Sequence, residues 1–167
     1  MTLSTSLSLS LRSTLSSALD LVTPQAPLDY SASVALASGV GANQADKIFA
    51  DTRTLAASAT EDLDLAGVLS DPLGAALTFA RVKAVLIRAA AGNTNNVQVT
   101  RPASNGVPLF LAAGDGLAVR PGGLFLWVAP DATGVAVTAG TGDLLTLTNS
   151  AGSTSVTYDV VIIGASA

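Results

Sequence analysis

From residue 108 to residue 163 the chain is a succession of short β-prone runs, 108–111, 117–120, 124–129, 135–139, 144–148 and 155–163. Glycine stands in most of the gaps: Gly114 and Gly116, Gly122 and Gly123, Gly134, Gly140 and Gly142, Gly152. Short strands at spacings of roughly 8 to 12 residues, broken by glycine, are the pattern of a sandwich or barrel. A parallel α/β sheet needs helices between its strands, and no helical pattern occupies these gaps. Alternation within the runs assigns Phe110, Phe125, Trp127, Val135, Val137, Leu145, Leu147, Val156, Tyr158, Val160 and Ile162 to the core.

Alternation also begins the chain. Residues 3–11 read L-S-T-S-L-S-L-S-L, which in a strand puts Leu3, Leu7, Leu9 and Leu11 on one side and hydroxyls on the other. Such an arm either covers a neighbour's sheet or frays as a terminus. Residues 15–27 read as a connector with room for one helical turn at 16–21, because Pro24 and Pro27 stop anything longer. Residues 29–37 are expected as a strand with Tyr30, Ala32, Val34 and Leu36 on one face. Gly39, Gly41 and Asn43 mark a loop before 47–55, and 47–55 and 56–66 read as two strands joined by a tight connection. In 77–90 helical spacing can be drawn through Leu77, Arg81, Val82, Val85, Leu86 and Ala89. Its β-branched residues favour a strand at 81–88 that runs through the turn of Gly92, Asn93, Asn95 and Asn96 into 97–101, with a helical turn before Phe79 left open.

The total is about ten or eleven strands, against about five or six in an average sheet, so two packed sheets are expected. The predicted fold is all-β, an antiparallel two-sheet sandwich, jelly-roll-like, with an extended N-terminal arm. Residues 1–27 form the arm and connector, and 28–167 the sandwich.

The chain has 167 residues, of which only 12% are charged, and it lacks cysteine and histidine. Those two absences remove thiolate chemistry, the commonest general base and every Ser-His-Asp triad, and no enzyme activity, catalytic residue or cofactor is expected. Net charge is −4, and the eight Lys and Arg are scattered, so no nucleic acid is expected as partner. Apolar runs are too short for a membrane span, and the start lacks the charged and apolar regions of an export signal. A surface this poor in charge is expected to be partly covered.

Glu61, Asp62 and Asp64, joined by Asp71, offer oxygen ligands to calcium, but Asp62 and Asp64 alternate with Leu63 and Leu65 as a solvated strand face would, and no metal is expected. Gly114, Asp115 and Gly116 lack the Lys, the Ser or Thr and the helix of a phosphate loop, and read as turn residues. Trp127, Tyr30 or Tyr158 could stack on sugar, whereas the apolar run around Trp127 points to the core or a subunit contact. Arg81 and Lys83, two apart and near Arg88, guard an edge strand or pair with an acidic neighbour. The candidate interface is therefore Leu3, Leu7, Leu9, Leu11, Arg81, Lys83 and Trp127.

The runs F-A-R-V-K-A-V-L-I-R-A-A-A-G-N-T-N-N at 79–96, R-P-G-G-L-F-L-W at 120–127, A-V-T-A-G-T-G-D-L-L at 136–145 and V-T-Y-D-V-V-I-I-G at 156–164 resemble structural proteins of tailed bacteriophages, over roughly residues 45–167. The resemblance implies a small β-sandwich virion protein of the capsid decoration or cement type. Its partners would be the major capsid protein or other virion proteins and further copies of itself, a trimer first. Its place would be the capsid surface of the virion, after assembly in the host cytoplasm. A tail or baseplate protein and a carbohydrate-binding surface module are the alternatives. No catalytic residues carry over, and the Leu/Ser arm lies outside the resemblance.

Overall fold

The computed structural model describes residues 2–167; Met1, the first residue of the expected arm, lies outside them. The described chain is all-β. β1 (Thr5–Ser16) and β2 (Gln25–Ser38) form a long hairpin, and β3 (Gln44–Ala45) pairs in parallel with the end of β2. There follow β4 (Lys47–Leu55), β5 (Thr60–Asp64), the short pair β6 (Leu69–Ser70) and β7 (Ala76–Leu77), β8 (Arg81–Ala89), β9 (Val97–Thr100), β10 (Gly116–Val119), β11 (Leu124–Val128), β12 (Val135–Ala136), β13 (Leu144–Asn149) and β14 (Val156–Ala165).

These strands build two antiparallel sheets. One has the order β11-β8-β14-β4, with β12 continuing beside β8; the other has the order β10-β9-β13-β5. The pairs β4 and β5, β8 and β9, β10 and β11, β13 and β14 are consecutive in sequence yet sit in opposite sheets, so the chain crosses between layers at each of those connections. Between the layers Val85, Ile87 and Ala89 of β8 meet Leu63, Val97, Val99, Leu145 and Leu147 from the facing sheet, with Tyr158, Val160 and Ile162 of β14 alongside. All eleven residues expected in the core belong to this cluster, Phe110, Phe125, Trp127, Val135 and Val137 at its partly buried margin. Phe110 and Phe125 stack at 6.1 Å between ring centroids. Each fully buried aliphatic side chain contributes about 1.5–3 kcal/mol, which lets small residues hold a core with few aromatics.

One end of the sandwich is tied by asparagines. Asn149, nearly fully buried, donates to the carbonyls of Ala56 (2.9 Å) and Thr154 (2.7 Å) and accepts from Asn95 Nδ2 (3.0 Å). Asn95 also reaches the carbonyls of Ala151 and Thr154. Asn93 donates to the Thr157 carbonyl and accepts from its N–H, pairing like one more residue of a ladder. The three inter-sheet corners after β4, β8 and β13 are thus tied by asparagine side chains, and Asn149 gives the Ala56 and Thr154 carbonyls buried partners.

The structure corrects several expectations. The segment 47–66 holds two strands joined by the short connection 56–59, as expected, but β4 and β5 lie in different sheets and do not pair with each other. No helix forms at 16–21 or before Phe79. Instead β1 runs to Ser16, and the loop beyond is closed by Ser17 N–H to Pro24 O and Leu19 N–H to Val22 O. With Leu7, Leu9, Leu11 and Leu15 on one face, 5–16 gains more from pairing along β2 than a short helix could from one turn. The stretches 108–111 and 137–139 pack without joining a ladder. β2 runs through residues 27 and 28, and the hairpin it makes with β1 ends at Ser38.

Candidate interaction surface

The hairpin is a two-faced ribbon. Opposed residues of an antiparallel pair share a face, and the register sets Leu7 against Val34, Leu9 against Ala32, Leu11 against Tyr30, Ser13 against Leu28 and Leu15 against Ala26. The other face carries Ser8 against Ser33, Ser10 against Ser31 and Arg12 against Asp29, the last an ion pair at 3.4 Å between exposed groups. At about 3.4 Å per residue the twelve paired positions make a ribbon roughly 40 Å long.

Only the base of the apolar face is covered. Leu3, Leu7, Val34 and the fully buried Leu36 pack on Ala84, Val128, Val161, Ile163 and Ile48, the outward-facing residues of the sheet β11-β8-β14-β4. Farther out Leu9, Leu11, Leu28 and Tyr30 are each 53% exposed and Leu15 76%, while Leu19, Leu21 and Val22 stand open at the tip. An apolar notch of about 160 Å³ lies where the ribbon leaves the sandwich, walled by Leu7, Leu9, Ala32 and Val34 and by Leu126 and Val128 of β11, the end strand of that sheet. A two-stranded ribbon is at best marginally stable alone in water, and this one is packed on the sandwich only at its base.

Of the expected interface residues, Leu3 and Leu7 are seated inside the chain's own contact, and Leu9 and Leu11 are free on the ribbon. Arg81 and Lys83 do not guard an edge, since β8 lies between β11 and β14. They do not share a regular face either. Ile163 pairs with Ala84 but Gly164 with Val82, which makes Lys83 the extra residue of a β-bulge. Gly164 permits this, because a Cβ there would stand 2.1 Å from the Arg81 carbonyl oxygen. The bulge sends Lys83 into the protein, fully buried, where its ammonium donates to the Asp131 carbonyl. Arg81 remains half-buried, donating to the carbonyl of Ala132. Trp127 opposes Val85 on the core face of β11 and is packed against the sandwich core.

Burial holds the Lys83 ammonium below its ordinary pKa, which indicates that the site tolerates the charge without needing it. Lys83→Met keeps the volume and removes the desolvated charge. Its stability in thermal unfolding at pH 7 is expected within about 1.5 kcal/mol of the parent, or higher. A loss above about 3 kcal/mol would show that the ammonium is needed in the bulge.

The acidic residues are separated by strand parity. Glu61 shares the inward face of β5 with the buried Leu63, while Asp62 and Asp64 face out. Asp62 accepts from the Thr146 hydroxyl, and Asp64 accepts the Ala66 N–H at 3.0 Å. Among the described residues no three acidic side chains converge as metal ligands would. Glu61 instead accepts from the Tyr158 hydroxyl and, at 2.7 Å, from the Arg53 guanidinium. That clasp joins β14 and β4 of one sheet to β5 of the other, and the lone Glu of the chain at core parity with Leu63 was its one sequence signal. Gly114 sits at a positive φ of 88° in a turn braced by Ala112 N–H to Asp115. Of the three aromatics suited to sugar stacking, Tyr158 is buried, Trp127 is packed on the core, and Tyr30 is exposed on the ribbon. The sequence reading missed the outer half of the surface: Leu15, Leu19, Leu21 and Val22 fall in 15–27, taken as a connector, and Leu28 stands just before the strand expected at 29–37.

Comparison with protein-family models, with curated proteins and with solved structures finds no match to this chain.

Proposed function

We propose that the chain is a structural protein of a virion, of the capsid decoration or cement type, which attaches to a protein shell and stabilises it without catalysis. What supports this is the ribbon: a rigid sandwich presents a long arm with one apolar face, uncovered over its outer half and free of charge. Extended arms of this kind bind through backbone pairing and alternate side-chain pockets, and many weak copies hold together by multivalency. Strand order supports it as well. With β4, β5, β8, β9, β10, β11, β13 and β14 counted as one to eight, the sheets run 1-8-3-6 and 2-7-4-5. We read that order as jelly-roll winding, which capsid and lectin domains share. Within that pair the inward packing of Trp127 and Tyr158 favours the shell over a sugar.

The test is the location of the chain in purified particles of the virus that encodes it, mapped by electron cryo-microscopy. Density for the sandwich on the outer face of the shell is expected; density confined to the tail or baseplate supports the second structural role instead; absence from the particle overturns both. A variant in which an Asn-Gly turn replaces residues 10–31 closes the hairpin at Leu9 and Ala32 and keeps its base on the sheet. It is expected to melt within about 4 °C of the parent, a difference of about 1 kcal/mol for a chain of this size, and to be lost from the particles.

A further inference from the structure

We infer that the outer half of the ribbon packs on the outer sheet face of a second copy of this chain, in a contact that repeats between molecules what its base already makes within one. The inference rests on the assembly role proposed above and names the first partner of the arm.

Both halves of such a contact are present on each molecule. The outer face of the sheet β11-β8-β14-β4 is laid out in rows set by the register: Val128, Ala84, Ile163 and Ile48 in one, Leu126, Leu86, Val161 and Ala50 in the next. The base of the ribbon covers the first row and reaches Val161 in the second. Beyond it Leu126 is left 38% exposed and Leu124, one row farther, 64%. The ribbon meanwhile carries the same apolar face on past β11, from Leu7 and Val34, which are seated, to Leu9, Leu11, Tyr30 and Leu28, which are not. An apolar ribbon face without a sheet and an apolar sheet margin without a ribbon therefore sit side by side on one chain, joined by the notch at Leu126 and Val128.

Chemistry matches as well as shape. The charged side chains of the paired ribbon, Arg12 and Asp29, lie on its polar face and neutralise each other. On the sheet, Arg88 and Asp159, which share the row of Leu124, pair with each other at 4.0 Å. Neither surface carries an excess of one charge, so neither repels the other. The uncovered ribbon face is on the order of 500 Å², a size that marks an interaction site on a soluble domain. Adding the Leu124 and Leu126 margin, and counting an exchange in which each copy gives an arm and receives one, brings the contact into the range of stable interfaces, roughly 1,200–2,000 Å² in total.

The cysteine-free chain gives a direct test. Leu11→Cys and Leu124→Cys, each at an exposed position, are mixed as separate single-cysteine proteins and treated with a short bismaleimide, and the parent is followed by sedimentation velocity across a concentration series. A concentration-dependent oligomer is expected, with cross-links between the Leu11→Cys and Leu124→Cys chains. Leu11→Asp and Leu124→Asp are each expected to weaken self-association about a hundredfold or more, as an unpaired carboxylate buried in an apolar contact does, while leaving the melting temperature of the dilute protein unchanged. A parent that stays monomeric at every concentration, or cross-links confined to Leu11→Cys with itself, overturns the inference. A monomer found on particles would sink the exchange and leave the decoration role standing, whereas an arm-exchanged oligomer absent from particles would do the reverse.

Discussion

Asn149→Ala is expected to lower the melting temperature by roughly 6–12 °C, the equivalent of about 3 kcal/mol in a chain of this length. Its amide meets the carbonyls of Ala56 and Thr154 and the Asn95 side chain at once, in a place closed to water. Truncation takes the side-chain partner from the Ala56 carbonyl and the Ala151 N–H, on two of the corners, and leaves the Asn95 amide and the Thr154 carbonyl with one partner fewer; a buried group left unpaired costs more than the average hydrogen bond contributes. Because Asn95 bonds Asn149 directly and shares the Thr154 carbonyl with it, Asn95→Ala with Asn149→Ala should cost distinctly less than the sum of the single losses. A double-mutant cycle in urea measures that coupling. A loss below about 1 kcal/mol for Asn149→Ala would mean that the corners hold without it.

Tyr158→Phe is expected to cost about 2 kcal/mol at pH 7, as loss of a hydrogen bond to a charged acceptor does. It should also change how stability depends on alkali. Burial, together with the hydrogen bond to Glu61, raises the Tyr158 hydroxyl well above its ordinary pKa. In the unfolded chain it ionises near 10. The folded state therefore holds a proton that the unfolded state releases. The Tyr158 contribution is complete below about pH 10 and is lost as pH rises beyond it, at up to about 1.4 kcal/mol per pH unit. Lys83 acts with the opposite sign. Its folded pKa is lowered, so stability gains with rising pH in the interval that ends near the unfolded value of about 10.5. Above that value only the tyrosine slope remains of the two. Urea unfolding from pH 8 to pH 11.5 should show a steeper alkaline loss in the parent than in Tyr158→Phe, and parallel curves would count against the buried clasp.

How much of this was legible beforehand follows from which signals are local. Strand identity was readable wherever alternation was long: β8, β11, β13 and β14 lie within a residue or two of their expected limits, and each expected core residue packs where its parity put it. Short pairs such as β6 with β7, which hold by two residues each, carried no readable period. At the candidate surface Leu9 and Leu11 were found from alternation. Leu15 and Leu28 were not, since Pro24 and Pro27 signal a break in any helix but are tolerated in a ribbon whose strands are both edges.

The sequence by itself therefore determined an all-β chain, the inward set of its later strands, and a first strand with leucine on one side and hydroxyls on the other, because side-chain parity along a strand is a property of neighbouring residues. Tertiary structure alone decided that β4 and β5 part into different sheets, that a bulge opposite Gly164 turns Lys83 inward, that Glu61 closes a clasp between sheets while Asp62 faces water, and that the ribbon overhangs β11 with its outer leucines bare. Each of those depends on partners far away in sequence. Pairing between distant strands is chosen by how the whole set of apolar faces can be buried at once, and no local pattern encodes that choice.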